Sequence, residues 1–406
     1  MGRPRPLRGV SARWSAFGAA VFFVAAPLAA CALSTGTPRT AGASAPAPPA
    51  GAALDQAALE AILDETRAEL KMPGLRAAVR YADGRVVRTA VGLADREADL
   101  PLDDHVRMPG GSTGKTFVAA LTMLLAEDGV LSLDDPVSKW LGDRDWYRRL
   151  PNADDIRVRH LLSHSAGLGD YPGTMRFRIR MVWRAIRRGG RFEPEELIGF
   201  IGRKPRYPAG RGYAYTDAGY LVLGRVIEAA TGRAYYDLLR ERILEPHGLD
   251  EIGLQDRSAL PGITPGYTMG ARNLRDDGTM KFDPSSEWTG GGLTTNPTML
   301  VRFHGALAEG RIVRPESLAA MLAGGWRDPA RPGWHYGFGL FVYDGGASFG
   351  HGGMWPGYRT HVRHYAASGV TVAVQTNRDG RLDMQAVVDR IVSSLGGDGE
   401  TAVASR

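Results

Sequence analysis

Ser112 and Lys115 sit in the stretch MPGGSTGKTFVAA, Met108 to Ala120, which three different chemistries fit. Gly110-Gly111-Ser112-Thr113-Gly114 satisfies G-x-S-x-G, where a strand-to-helix turn projects a nucleophilic serine. Gly114-Lys115-Thr116 matches the end of a phosphate-cradling P-loop. Ser112-Thr113-Gly114-Lys115 satisfies S-x-x-K, where an amine beside a serine hydroxyl activates it for acyl transfer.

Sequence context separates them. A P-loop needs glycine five residues before Gly114, and that position is Pro109. The serine turn of G-x-S-x-G needs a buried strand running into it. The approach here is LPLDDHVRMPGG, whose Asp103, Asp104, His105 and Arg107 make a poor central strand. S-x-x-K needs a serine at the start of a buried helix with the lysine one turn on. Positions i and i+3 share a helix face, so the amine reaches the hydroxyl. Packed against an apolar helix, a lysine loses preference for its charged form, and its pKa can fall from about 10.4. Only five lysines occur in the chain, which makes a chance S-x-x-K less common.

The elements that must hold these residues are legible in outline. TFVAALTMLLAEDG is apolar on nearly every face and closes at Gly129, so a buried central helix is expected. LDQAALEAILDETRAEL has helical spacing and stops at Pro73-Gly74. LRAAVRY and RVVRTAVG flank Ala82-Asp83-Gly84 as a hairpin. YGFGLFVYDG, ASFGHGG, YRTHVRHY and VTVAVQTN read as short strands, and RLDMQAVVDRIVSSL as a last helix. The expected fold is α+β: an antiparallel sheet built from both termini, flanking helices, and an inserted mostly helical region at about 106–290. It occupies residues 54–395, as one large domain or two closely joined ones, with a disordered tail at 396–406.

The N-terminus bounds location. Arg3, Arg5, Arg8 and Arg13 precede AFGAAVFFVAAPLAA, which reads as a secretory signal over residues 1–30. A retained anchor helix is the alternative, but the run is short of the roughly 20 residues a span needs. Leu28-Ala29-Ala30-Cys31 resembles the bacterial lipobox, which implies lipidation of Cys31 and anchoring in the bacterial cell envelope, on a periplasmic or extracellular face. Cys31 is the only cysteine, which excludes an internal disulfide or a cysteine-based metal site. Residues 31–53 are Pro- and Ala-rich and read as a tether. The net charge of +6 less the four signal arginines, with no acid among residues 1–30, leaves +2. A chain so balanced is no nucleic-acid binder. Its one dense basic run, Met175 to Phe192, reads as an amphipathic segment with a solvated arginine face, in preference to an anionic-surface contact.

Further motifs follow Ser112 in order. RHLLSHSAGL (Arg159 to Leu168), YPAGRGYAYTDAGYLVLGRVIEAATG (Tyr207 to Gly232), LSLDDPVSKWL, RILEPHGL and GGGLTTNPTMLVRF resemble the serine β-lactamase and penicillin-binding-protein family, nearest its class C and esterase branch. The family's Y-x-N motif corresponds to Tyr215-Thr216-Asp217, and its K/H-x-G motif to His351-Gly352-Gly353. The resemblance covers about residues 54–395 and implies a β-lactamase/transpeptidase-like fold and an acyl-enzyme mechanism. It makes Ser112 the nucleophile, with Lys115 and Tyr215 as the base pair that takes the serine proton and returns it to the leaving group. It gives the oxyanion hole to the backbone N–H groups of Ser112 and Met354, and substrate contact to Asp217, His351, Gly352 and Gly353. His160 and His164 are expected to satisfy local backbone groups. No metal or other cofactor is implied.

Two departures bear on substrate. The motif asparagine is Asp217, and an ionised carboxylate cannot donate to a substrate carbonyl. His351 and Gly352 lack the cation and hydroxyl that greet a β-lactam carboxylate. Both changes favour an esterase or D-amino-acid peptidase, acting on a small molecule or peptide, over a β-lactamase. A penicillin-binding sensor that is acylated without turnover is the rival outside the enzyme class.

Overall fold

Two distant stretches of the chain meet at the centre of one sheet. The computed structural model describes residues 53–187, 190–330 and 332–395. The expected signal, Cys31, nearly all of the tether and the tail at 396–406 lie outside them. The main sheet comprises β1 (Gly74–Arg80), β2 (Val86–Asp95), β3 (Leu100–Pro101), β4 (Trp334–Tyr336), β5 (Phe341–Tyr343), β6 (Ser348–Trp355), β7 (Tyr358–Tyr365) and β8 (Val370–Thr376). They lie in the order β3-β2-β1-β8-β7-β6-β5-β4, and neighbouring pairs are antiparallel. β1 pairs with β8, with Leu75 opposite Thr376 and Arg80 opposite Thr371. The sheet is therefore built from both ends of the described chain, as expected.

Alternation along the central strands sends side chains to both faces. On one face α1 (Gln56–Glu69) and α6 (Met384–Leu395) bring Leu59, Leu63, Val388 and Ile391 against Leu75, Val79, Val372 and Val374. Asp55 caps α1 by accepting from the Ala58 N–H at 2.7 Å. On the other face lie α5 (Pro297–Ala308) and then α2 (Gly114–Glu127), joined by Phe303 stacked on Phe117 with ring centroids 3.6 Å apart. α2 is buried on nearly every face, as its sequence requires.

A polar network fastens the approach to Ser112 onto the sheet. The Arg76 guanidinium, buried in β1, donates to Gln375 Oε1 (2.6 Å), Val106 O (2.5 Å) and Thr295 O (3.2 Å). Gln375 in turn donates to Thr360 Oγ1 at 3.0 Å. Buried polar groups satisfied in this way fix one arrangement of the backbone around them.

Two expectations need correction. The helical insertion does not end near 290: α5 and a further helix, Pro315–Ala323, extend it, because α5 is needed to cover the sheet. The Arg-rich segment is only in part the arginine-faced helix expected: Arg176 and Arg187 are exposed, but Arg184 is buried and apolar residues share the outer surface. In α3 (Met175–Arg187), Phe177, Met181 and Arg184 turn inward, while Met175, Ile179, Trp183 and Ile186 are exposed.

Candidate active site

Ser112 lies in a single tight turn, Gly111–Thr113, that runs directly into α2. Two glycines let this turn touch the sheet. A Cβ on Gly353 in β6 would stand 1.9 Å from Gly110 O, and one on Gly111 would stand 2.5 Å from Met354 N. Gly111 also has φ +57°, which favours glycine. These approaches bring the Met354 N–H beside the serine turn, the arrangement an oxyanion hole requires.

Lys115, the second residue of α2 and one turn beyond Ser112, is wholly buried. Its Nζ donates to Ser112 Oγ at 3.1 Å, to Asp217 Oδ1 at 2.5 Å and to Gly290 O. An ammonium has three N–H donors, and all three have acceptors here. The helix is apolar, as expected, and the amine itself faces three oxygens. Asp217 is the first residue of α4 (Asp217–Thr231), where a negative charge complements the helix dipole. Thr216 caps α4 by accepting from the Ala218 N–H at 3.0 Å.

Two further carboxyl groups stand behind this pair, and the sequence reading missed both. Asp170 accepts from the Asp217 N–H and from Thr216 Oγ1, each at 2.9 Å. Burial, and then the charge of Asp217, push its carboxyl up to about 7. Glu287 is buried with one carboxyl oxygen lacking a hydrogen bond. Burial first, then Asp217, raise it to about 8, against the pull of Lys115 and Gln255. Glu287 stands just ahead of the GGGLTTN motif, the only hint the sequence offers; Asp170 belongs to no motif.

Tyr215 packs its ring on His164 (centroids 4.2 Å apart) with Lys115 Nζ 5.0 Å from its own centroid. Its hydroxyl is buried without a well-formed hydrogen bond among the described residues. Burial and then Asp217 hold the phenol well above its ordinary value near 10, while the neighbouring Ser112 hydroxyl pulls the other way. Tyr215 is therefore a neutral phenol at rest, able to relay a proton but not resident as a phenolate.

His351 is buried in β6, and both ring nitrogens are engaged within the protein. Nδ1 lies 2.6 Å from Gly352 O, and Nε2 lies 3.0 Å from the Tyr336 hydroxyl. Donation from Nδ1 to the carbonyl leaves Nε2 to accept from Tyr336. Burial, then Lys115, hold the ring well below 6.5, so it is neutral. His160 and His164 serve the backbone, as expected: His160 Nδ1 accepts from the Arg157 N–H at 3.2 Å, and His164 Nδ1 from the Thr216 N–H at 3.3 Å.

Ser112, Tyr215, Asp217, His351, Gly352, Gly353 and Met354 all line one cavity of about 700 Å³, with Lys115 behind its floor. Every expected site residue among those described is brought together there. Tyr213, Phe341 and Tyr343 give the cavity aromatic walls, and Phe177 and Met181 of α3 complete them. Such walls suit an apolar substituent beside the reacting group.

The sequence profile of the Beta-lactamase family matches residues 59–395. The chain belongs to the Beta-lactamase family. It is similar to penicillin-binding protein 4 of Amycolatopsis lactamdurans, 27% identical over 353 residues that span 80% of this chain and 86% of the relative. It is also similar to esterase EstB of Burkholderia gladioli, 28% identical, spanning 79% of this chain and 90% of the relative. Among solved structures, a D-stereospecific amidohydrolase from Streptomyces sp. superposes with a TM-score of 0.71 at 28% identity, covering 83% of this chain and 98% of its own. This member of the family is a serine hydrolase with a β-lactamase/transpeptidase-like fold.

Proposed function

We propose that this hydrolase cleaves esters, or amides of D-amino acids, bearing an apolar substituent, and that a β-lactam is a poor substrate. The observation that carries this reading is the Asp217 carboxylate, held on the Lys115 amine at the cavity floor. It puts negative charge where a neutral amide would donate to a β-lactam carbonyl, and it repels an incoming carboxylate. His351, neutral and tied to Gly352 and Tyr336, supplies no compensating cation. The likeness to EstB and to the D-stereospecific amidohydrolase points the same way.

In this reading Ser112 Oγ attacks the carbonyl carbon, and its proton passes to Lys115 Nζ as Lys115 yields a proton to Asp217 Oδ1. The negative oxygen of the tetrahedral intermediate is held by the N–H groups of Ser112 and Met354. The Tyr215 hydroxyl hands a proton to the leaving oxygen or nitrogen and recovers one from Lys115, leaving an acyl-Ser112. Water then attacks the acyl carbon by the same relay in reverse order, releasing the acid and restoring the serine.

We further propose export and lipidation at Cys31, supported by the basic, apolar and Leu28-Ala29-Ala30-Cys31 sequence. The reading of substrate is tested by kcat/KM for p-nitrophenyl esters, a D-amino-acid amide, a D-Ala-D-Ala peptide and nitrocefin. Nitrocefin turnover matching that of the esters overturns it, and a stable acyl-enzyme with no turnover of any substrate makes the chain a penicillin-binding sensor.

A further inference from the structure

We propose that α3 is a docking helix whose exposed face enters the surface of an anionic phospholipid membrane. Six large apolar residues stand strongly exposed among the described residues, and four of them lie on this helix: Met175 (65%), Ile179 (60%), Trp183 (42%) and Ile186 (47%). At 3.6 residues per turn these four fall within about 80° of arc, so they form one stripe. Phe177, Met181 and Arg184 occupy the opposite side and are buried. The helix thus has two apolar faces, one spent on the core and the catalytic cavity, the other turned to solvent. A contiguous exposed apolar stripe marks an interaction surface.

Charge chooses the occupant. Met175–Arg187 carries five arginines and no acid. Arg180 and Arg184 are drawn to Glu196 at 2.7 and 2.6 Å. Arg176 and Arg187 are exposed, lie over the rings of Phe200 and Trp183 respectively, and have no carboxylate partner among the described residues. A second copy of this chain laid on the stripe would set arginine against arginine. A layer of lipid phosphates meets them with the opposite charge, while the stripe, with Trp183 within it, sinks to the level of the headgroups. This docking is independent of any lipid on Cys31, and it turns the wall of the cavity formed by Phe177 and Met181 towards the membrane.

The test uses the full chain with Cys31→Ala and Ile179→Cys, carrying an NBD fluorophore on the new cysteine. Phosphatidylglycerol vesicles should shift its emission to the blue and brighten it, and phosphatidylcholine vesicles at the same lipid concentration should not. A label at Glu60→Cys on α1 should stay aqueous with both. Arg176→Glu with Arg187→Glu should raise the lipid concentration at half-effect about tenfold or more. Met175→Cys is labelled in parallel, so that the result does not hang on one site, and ester hydrolysis checks that each variant is folded. An unmoved label, an equal response to both lipids, or an equal response at Glu60 overturns the proposal. So does a shift that grows with protein concentration without lipid, which would assign the stripe to a second copy.

Discussion

Lys115 Nζ and Asp217 Oδ1 stand 2.5 Å apart because α2 and α4, far apart in sequence, both begin at the floor of one cavity. One helix start supplies the buried amine beside Ser112, and the other supplies its counter-charge. A lysine buried without such a partner would carry a large desolvation cost. In the proposed mechanism, the departure from the family's asparagine is therefore part of the proton path as well as a determinant of substrate.

Asp217→Asn separates those two consequences. An amide cannot take the proton that Lys115 yields, so kcat/KM for p-nitrophenyl acetate should fall by about a hundredfold, the scale of one general acid–base contribution. The same amide gains a donor towards a β-lactam carbonyl, worth about ten- to a hundredfold in rate. The ratio of nitrocefin acylation to ester hydrolysis should accordingly rise. An equal loss on both substrates would show that Asp217 has no part in substrate choice.

Ser112→Ala should abolish labelling by a fluorophosphonate probe, and no label should move to Ser163 or Ser165. Those two hydroxyls hydrogen-bond each other at 2.9 Å and are buried away from the cavity lining. Lys115→Ala and Tyr215→Phe should each remove most of the rate. Combined with Ser112→Ala they should add little, because members of one proton relay fail together. Fully additive losses in the double variants would break the relay apart.

Gly353→Ala probes the oxyanion hole without touching a reactive group. The added methyl would stand 1.9 Å from Gly110 O, so β6 must draw back from the serine turn and take the Met354 N–H with it. Loss of one donor to a developing oxyanion costs about 10²–10³ in kcat. The chain should retain its circular dichroism while kcat falls on that scale and KM moves little. Unchanged kcat would mean that the strand edge does not hold the oxyanion.

Much of this site was legible because its parts are local. Ser112 and Lys115 share one helical turn, and the buried helix that carries them is apolar in sequence. The sheet made from both termini also followed from pattern, since LRAAVRY and VTVAVQTN are strand-like at opposite ends. What escaped was set by tertiary packing. Asp170 and Glu287 matter only because the fold brings them to Asp217, and no spacing announces that. The outward face of α3 was legible only in part, for a related reason. Alternating arginine and apolar residues fit two orientations, and the aromatic cluster around Phe177 chose the one that buries Arg184.

Cys31→Ala tests the envelope reading at its narrowest point. The substitution should abolish incorporation of radiolabelled palmitate and release most of the protein from membranes. Because α3 offers a second, reversible contact, the released protein should still sediment with phosphatidylglycerol vesicles at low salt and come off at high salt. A wild-type chain that is soluble and carries no palmitate would exclude lipidation and leave simple secretion.

Glu287 should make stability depend on pH in a direction opposite to that of a salt-bridged acid. Its carboxyl lies near 8 in the folded chain against an ordinary value of 4.5. Below pH 4.5 both states hold the proton, and the group leaves stability untouched. Between 4.5 and 8 the unfolded chain ionises while the folded chain stays protonated, so the unfolded state binds fewer protons and stability falls as pH rises. Above 8 the loss is complete. Asp170, raised from 3.8 to about 7 by burial and Asp217, adds a loss of the same sign over a lower window. Glu287→Gln keeps the shape and removes the titration. The difference in Tm between Glu287→Gln and the wild type should therefore move in favour of the variant from pH 5 to pH 8.5. A difference that stays constant across that range would mean that Glu287 is already ionised in the folded chain, paired electrostatically with Lys115.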